Sequence, residues 1–251
     1  LVEREWLKEV KAIRCGEEGM GALTREQFEE ELDKSFSRFF TILNTHEALR
    51  QFVSMKHDEF YKVAVDQARA AIDKILEQYG DIRSAKLEEL LPLFVPVCVD
   101  EFPAQRNRLW LIGSVSAFEV CLKHNIEAVL RHKPELIDEK FIKDKAPHHK
   151  QLKALDKLFQ KLDFLENKLA ITFHEKDFAR EQLVEIHFRR NMFVHHDGLV
   201  TDRYVKRVKN TQYKEGDVLD DSNEYCEKSG RCLAQAAVHL HMALLKKFSK
   251  G

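Results

Sequence analysis

Cysteine is sparse in this chain, and its five residues (Cys15, Cys98, Cys121, Cys226 and Cys232) are scattered, odd in number and without the close pairs of a zinc site. That pattern gives no disulfide framework and reads as reduced thiols in a cytoplasmic protein. An excess of charge of one sign is missing too. Charged residues make up 33% of the 251 residues, yet the formal net charge is −1, so the chain is no polycationic wrapper of nucleic acid. Any contact with a polyanion must come from a local patch. Long hydrophobic runs are also lacking: LLPLFVPVCV is too short for a membrane span and holds two prolines. No signal peptide, internal repeat or low-complexity tract is visible. The sequence opens on Leu1 instead of Met, which leaves room for a preceding segment.

What is present is helical periodicity over a hydrophobic content of 44%, ample for a core. Thr24-x-x-Gln27 is a capping-box pattern, and it opens a helix with Phe28, Leu32, Phe36, Phe40 and Leu43 on one face. A second run, from about Thr45 to Tyr79, carries Leu49, Phe52, Val53 and Phe60, with a break expected between Ser54 and Asp58 and a stop at Gly80. Pro92, Pro96 and Pro103 make 80–104 the best boundary between an N-terminal helical region, 1–103, and a second unit, 104–251. A long helix from Arg106 to His132 buries Leu111, Val115, Phe118, Leu122, Ile126 and Val129, while Gly113, Ser114, Ser116 and Ala117 are small enough to admit a close neighbour. Pro147-His148-His149 reads as a helix start with proline at its first position. Leu152, Leu155, Phe159 and Leu162 form a further face. Ser222 or Asn223 opens the last helix, which buries Leu233, Ala236, Ala237, Leu240 and Leu244.

The informative stretch is His187 to Tyr204, HFRRNMFVHHDGLVTDRY. A helix from about Glu175 to His196 sorts its side chains by the 3.6-residue period. Leu183, Ile186, Arg190 and Phe193 share one stripe, which sets a guanidinium where an aliphatic residue belongs. Val184, Phe188, Asn191 and His195 form the next stripe, with the Asn191 amide one turn below the His195 imidazole. Gln182, Glu185, Arg189, Met192 and His196 make a polar third face, on which Arg189 is expected to be solvated. Arg190 then needs a partner, because a charge on a core-facing stripe is costly alone, and Glu119 bordering the long helix's buried face is a candidate. Asp197-Gly198 is a plausible helix terminator. Downstream, Arg203, Tyr204, Lys206, Arg207 and Lys209, with Tyr213 and Lys214, have the composition of a loop that contacts phosphates and stacks on a base.

Arg190-Asn191-Met192-Phe193-Val194-His195 resembles the Arg-x(4–6)-His signature of HEPN domains, small helical bundles that include ribonucleases. LIGSVSAFEVCLKHNI is similar to the family's first bundle helix, LDFLENKLAITF to the segment before the motif helix, and the YKEGD turn to its later region. The resemblance covers roughly the last 145 residues, with the usual tolerance on boundaries. It implies an all-α, HEPN-like bundle of four to five helices with the N-terminal helical region added. It also implies an endoribonuclease that uses no metal or cofactor, works as a homodimer with paired motifs in a shared cleft, and serves as a toxin or antiviral effector restrained by an inhibitor or antitoxin. Arg190, His195 and Asn191 would be its catalytic residues, with Glu119 in support. Because two arginines and two histidines are adjacent, Arg189 and His196 stand as substitutes.

The chemistry suits these residue types. RNA carries its own nucleophile, the 2′-hydroxyl, so cleavage needs proton transfer, which an imidazole supplies, and positive charge on the phosphorus, which a guanidinium supplies. Five positions turn about 140° on an ideal helix, so Arg190 and His195 of one chain do not aim at one point, and two copies across a dimer would resolve this. Two other readings stand beside it. His196-Asp197 is an HD dipeptide, which in a metal phosphohydrolase would need further ligands from His174, His187, Asp220 or Asp221. A HEPN-like bundle can also be a non-catalytic dimerisation or adaptor module.

Overall fold

The computed structural model describes residues 22–55, 81–142, 147–174, 178–209 and 211–248. The described elements are α1 (Arg25–Met55), α2 (Asp81–His132), two 3-10 turns (Pro134–Leu136 and Glu139–Phe141), α3 (Pro147–Ala154), α4 (Leu158–Leu169), α5 (Arg180–His195), α6 (Asp202–Arg207) and α7 (Asn223–Phe248). The fold is all-α; among the described residues the only strand-like pairing is an isolated antiparallel bridge, Leu199 to Val218.

Helix α2 is the axis of the bundle: α1 and α7 lie along it and on each other, and α3, α4 and α5 pack against it from other sides. Its sequence explains the position. Leu111, Val115, Phe118, Leu122, Ile126 and Val129 are buried as the periodicity requires, and Trp110, Ser114, Ala117, Cys121, Asn125 and Ala128 are buried as well. A helix apolar around most of its circumference must be covered on several sides. Small residues allow that: an added Cβ at Gly113 would stand 2.4 Å from the His46 ring of α1, and one at Gly230 of α7 would stand 2.6 Å from Trp110.

Helix α1 starts where its capping box sets it, with Thr24 N–H on Gln27 Oε1 (3.0 Å) and Gln27 N–H on Thr24 Oγ1 (3.3 Å). Its buried stripe is Phe28, Leu32, Ser35, Phe39 and Leu43; Phe36 and Phe40 are only partly covered. No new helix begins at Thr45, and Leu49, expected inside, is 59% exposed. The break placed between Ser54 and Asp58 and the stop at Gly80 fall largely outside the described residues. The interruption expected at the prolines is not seen, because α2 is helical through Pro92, Pro96 and Pro103. At spacings of four and seven residues their missing N–H groups fall within about 40° of one another, on one side of the helix. The side chains of α1 share one core with those of α2, α5 and α7.

Helix α7 opens under Ser222, whose Oγ accepts Tyr225 N–H at 3.2 Å, and it buries Leu233, Ala236, Ala237, Leu240 and Leu244. Pro147 begins α3 as expected. On α4 the buried face is Leu158, Leu162, Leu165 and Leu169, with Phe159 displaced to its edge. Cys121, Cys226 and Cys232 are buried and not disulfide-bonded, and burial pushes the Cys121 thiol up to about 11 and the Cys226 thiol to about 12. No helix of the described residues is long and apolar enough to cross a membrane.

Burial lowers the pKa of His46, His124, His148 and His241 from the ordinary 6.5. Below that value the unfolded chain binds protons that the folded chain refuses, so the stability these rings contribute is complete above it and declines as pH falls through it. The melting temperature is expected to be several degrees lower at about pH 5.5 than at about pH 7.5. Equal melting at the two would show that the rings do not titrate differently on folding.

Candidate active site

Helix α5 begins with Gln182 Oε1 accepting Ala179 N–H at 3.0 Å and ends at His195, where His196 N–H and Gly198 N–H both reach Met192 O (2.8 and 3.1 Å). Asp197 (φ 49°) and Gly198 (φ 81°) then turn the chain through the left-handed region. The terminator is where the sequence places it. The following turn is tied down by Gly216 N–H on Val200 O (2.9 Å), Val200 N–H on Asp217 O (2.9 Å) and Leu219 N–H on Gly198 O (3.0 Å). Arg108 of α2 fixes it from the side: its Nη1 meets Asp197 and its Nε meets Asp221, each at 2.7 Å, and its guanidinium lies 5.3 Å from the Phe193 ring.

Arg190 and Glu119 come together. An Arg190 Nη2 hydrogen is donated to Glu119 Oε2 at 2.6 Å, with the two side chains 17% and 22% exposed. The same carboxylate's Oε1 lies 2.5 Å from His187 Nδ1, and His187 Nε2 is 3.1 Å from Asn191 Nδ2. Residues 187, 190 and 191 sit at steps of three and four, so one face of α5 presents an imidazole and a guanidinium to one acid of α2, with the Asn191 amide on the far nitrogen of the imidazole. Burial by itself pushes the Glu119 carboxyl up. The His187 hydrogen bond, with the charges of Arg190, His187 and Lys161, outweighs it and holds Glu119 below the usual 4.5. Lys161 of α4 is buried, donates to Asp156 O at 2.6 Å, and has its pKa lowered by that burial. The site is thus a buried-edge carboxylate of α2 with basic neighbours from two other helices, α4 and α5.

Asn191 does not serve His195. The expected pairing one turn toward the C-terminus is replaced by a contact one turn back, on His187. His195 and His196 are exposed, and no hydrogen bond or ion pair engages His195 among the described residues. His187 is the member that the periodicity contained but did not single out: its spacing to Asn191 was the available signal.

Arg189 requires a correction. Far from being solvated, it is 4% exposed. Its Nε binds Glu185 at 2.7 Å, its Nη1 donates to Asp220 O at 2.7 Å, and its guanidinium lies 3.7 Å from the Tyr225 ring and 5.3 Å from Tyr213. At Arg189 the third face of α5 is not open to water, because Tyr225 of α7 and the segment after α6 close over it. Arg189 therefore does not stand in for Arg190. Tyr204 belongs to the same enclosure: it is fully buried and its hydroxyl donates to Glu185 Oε1 at 2.9 Å, so it offers no face for base stacking in this structure. The segment read as a loop is partly helical (α6), with Thr201 Oγ1 accepting Tyr204 N–H at 3.4 Å. Arg203, Lys206, Arg207 and Lys209 are exposed; Lys206 pairs with Asp202 at 2.5 Å.

Three of the ligands an HD-type metal site could draw on are otherwise engaged: Asp197 and Asp221 on Arg108, and His187 on Glu119. Among the described residues no group of three or more His, Cys, Asp or Glu side chains is placed to hold a metal ion. No protein-family model, curated protein or solved structure matches this chain.

Proposed function

We propose that the protein is a metal-independent endoribonuclease of the HEPN type, cleaving RNA by attack of its own 2′-hydroxyl. The observation that carries this reading is the end of α5: a half-buried Arg190 held on Glu119, and five residues beyond it an unengaged His195 in solvent. A guanidinium kept in place by a carboxylate is positioned to take phosphate oxygens, and an imidazole with no protein partner is free to exchange protons with a substrate. Arg190 and His195 are the catalytic pair on this reading, Glu119 holds Arg190, Asn191 lines the same face beside His187, and a homodimer brings two pairs to one scissile phosphate. Exposed Arg203, Lys206, Arg207 and Lys209 would contact flanking phosphates. The resemblance to the family further suggests a toxin or antiviral effector restrained by an inhibitor or antitoxin protein.

The test is incubation with total RNA, with and without EDTA, followed by analysis of product ends. New 2′,3′-cyclic phosphate and 5′-hydroxyl ends in equal amount under both conditions are expected. Absence of cleavage, or cleavage that EDTA abolishes, would sink the reading. One observation favours a second reading, a non-catalytic dimerisation or adaptor module: the Arg190 charge is already matched within its own chain by Glu119. A purified dimer that leaves a broad panel of RNAs intact would support that alternative.

A further inference from the structure

We infer that His187 is a second proton-transfer group of the same site, so that each chain brings two histidines to the reaction. This rests on the endoribonuclease reading above. Cleavage through the 2′-hydroxyl needs one group to accept a proton and another to give one. A single chain offers Arg190 and His195 about 140° apart on α5, whereas His187 lies only about 60° from Arg190. One carboxylate, Glu119, bridges His187 and Arg190 through its two oxygens, at 2.5 and 2.6 Å. A cation for the phosphate and an imidazole for the proton are therefore neighbours within one protomer.

The ring is held as a proton-transfer imidazole needs to be. With Glu119 ionised, Nδ1 carries the hydrogen and donates it, so Nε2 is the accepting nitrogen; its lone pair takes an Asn191 N–H, which the substrate hydroxyl must displace before proton transfer. Asn191 faces Nε2 at 3.1 Å. Its amide can donate N–H to the neutral ring or, turned over, accept from the protonated one, so it accommodates both protonation states. The side chain is 15% exposed and reaches solvent. The charged groups around it are Glu119 from α2, Arg190 from α5 and Lys161 from α4, the lysine acting through Glu119.

In the step itself, His187 Nε2 takes the 2′-hydroxyl proton as the 2′-oxygen bonds to phosphorus. The bond from phosphorus to the 5′-oxygen breaks; that oxygen keeps the electron pair and takes a proton from the His195 imidazolium. Exchange with water returns both rings to their starting states.

The deciding variant is His187→Asn, whose amide keeps a donor toward Glu119 but cannot titrate. It is expected to lower kcat about 100-fold or more, with KM little changed, and to remove one limb of the pH–rate profile. A rate within threefold of the parent and an unchanged profile would overturn the inference while leaving the ribonuclease reading intact; a wild-type chain that makes no cyclic phosphate removes both. Should His187→Asn not fold, nitrogen-15 spectra of the His195→Ala variant with a saturating RNA oligonucleotide that keeps its 2′-hydroxyls decide. The His187 Nε2 resonance should move while Nδ1 stays protonated, and an unmoved Nε2 resonance refutes the role.

Discussion

His195→Ala is expected to slow RNA cleavage by about 10²- to 10⁴-fold while leaving the melting temperature almost unchanged. The two halves of that expectation come from one fact. His195 is exposed at the last position of α5 and engages no protein group among the described residues. Its removal opens no cavity and orphans no partner, so the stability cost is limited to its interaction with the helix terminus, a few tenths of a kcal/mol up to about 1. Arg190→Ala should cost comparable activity but also some stability, because Glu119 would keep its buried position with one counter-charge fewer. Cleavage assays beside thermal melts of both variants separate the two effects, and full activity in His195→Ala would refute the assignment.

Arg189→Ala should do the reverse and lower stability by about 3–5 kcal/mol, the cost of breaking a buried ion pair by removing one partner. For a chain of this size that is a fall of roughly 10 °C in melting temperature. Glu185 would remain in an enclosed site, accepting from Tyr204 at 2.9 Å and Tyr225 at 2.7 Å, without the guanidinium that neutralises it. The stack on Tyr225 would be lost as well. Arg189→Lys should restore little, since an ammonium neither stacks flat on a ring nor binds Glu185 and Asp220 O along a planar fork. A melting temperature within 2–3 °C of wild type for the alanine variant, a shift of about 1 kcal/mol, would show that the cage is not holding α5 to α7.

The contrast between neighbouring arginines marks where the sequence stops being legible. Features decided by local chemistry were readable: the Thr24–Gln27 box, proline at the start of α3, the Asp197-Gly198 stop, and the apolar stripes of α2 and α7. The pairing of Arg190 with Glu119 was also readable, because a charge on an apolar stripe demands an opposite charge nearby. What depended on long-range coverage was not. A helical wheel separates polar from apolar faces, but it does not know that Tyr213, from the segment after α6, and Tyr225, from α7, fold over the polar face and bury Arg189. Tyr204 looked like a stacking platform because its neighbours are basic, and only the closed tertiary cage assigns it to the interior. In the sequence His187 stands out only as a possible metal ligand, for a related reason: its partner in the fold is Glu119, 68 residues away in the chain.

The three backbone bonds that stitch Gly198 and Val200 to residues 216–219 govern how His195 is presented to a ligand. The last turn of a helix commonly frays and trades its amide hydrogens for deuterium quickly. Here the amides of Val200, Gly216 and Leu219 are locked beyond that turn, so deuterium uptake at these three positions should lag well behind that of an ordinary loop. The imidazole, though it faces water, stands on a footing that does not wander.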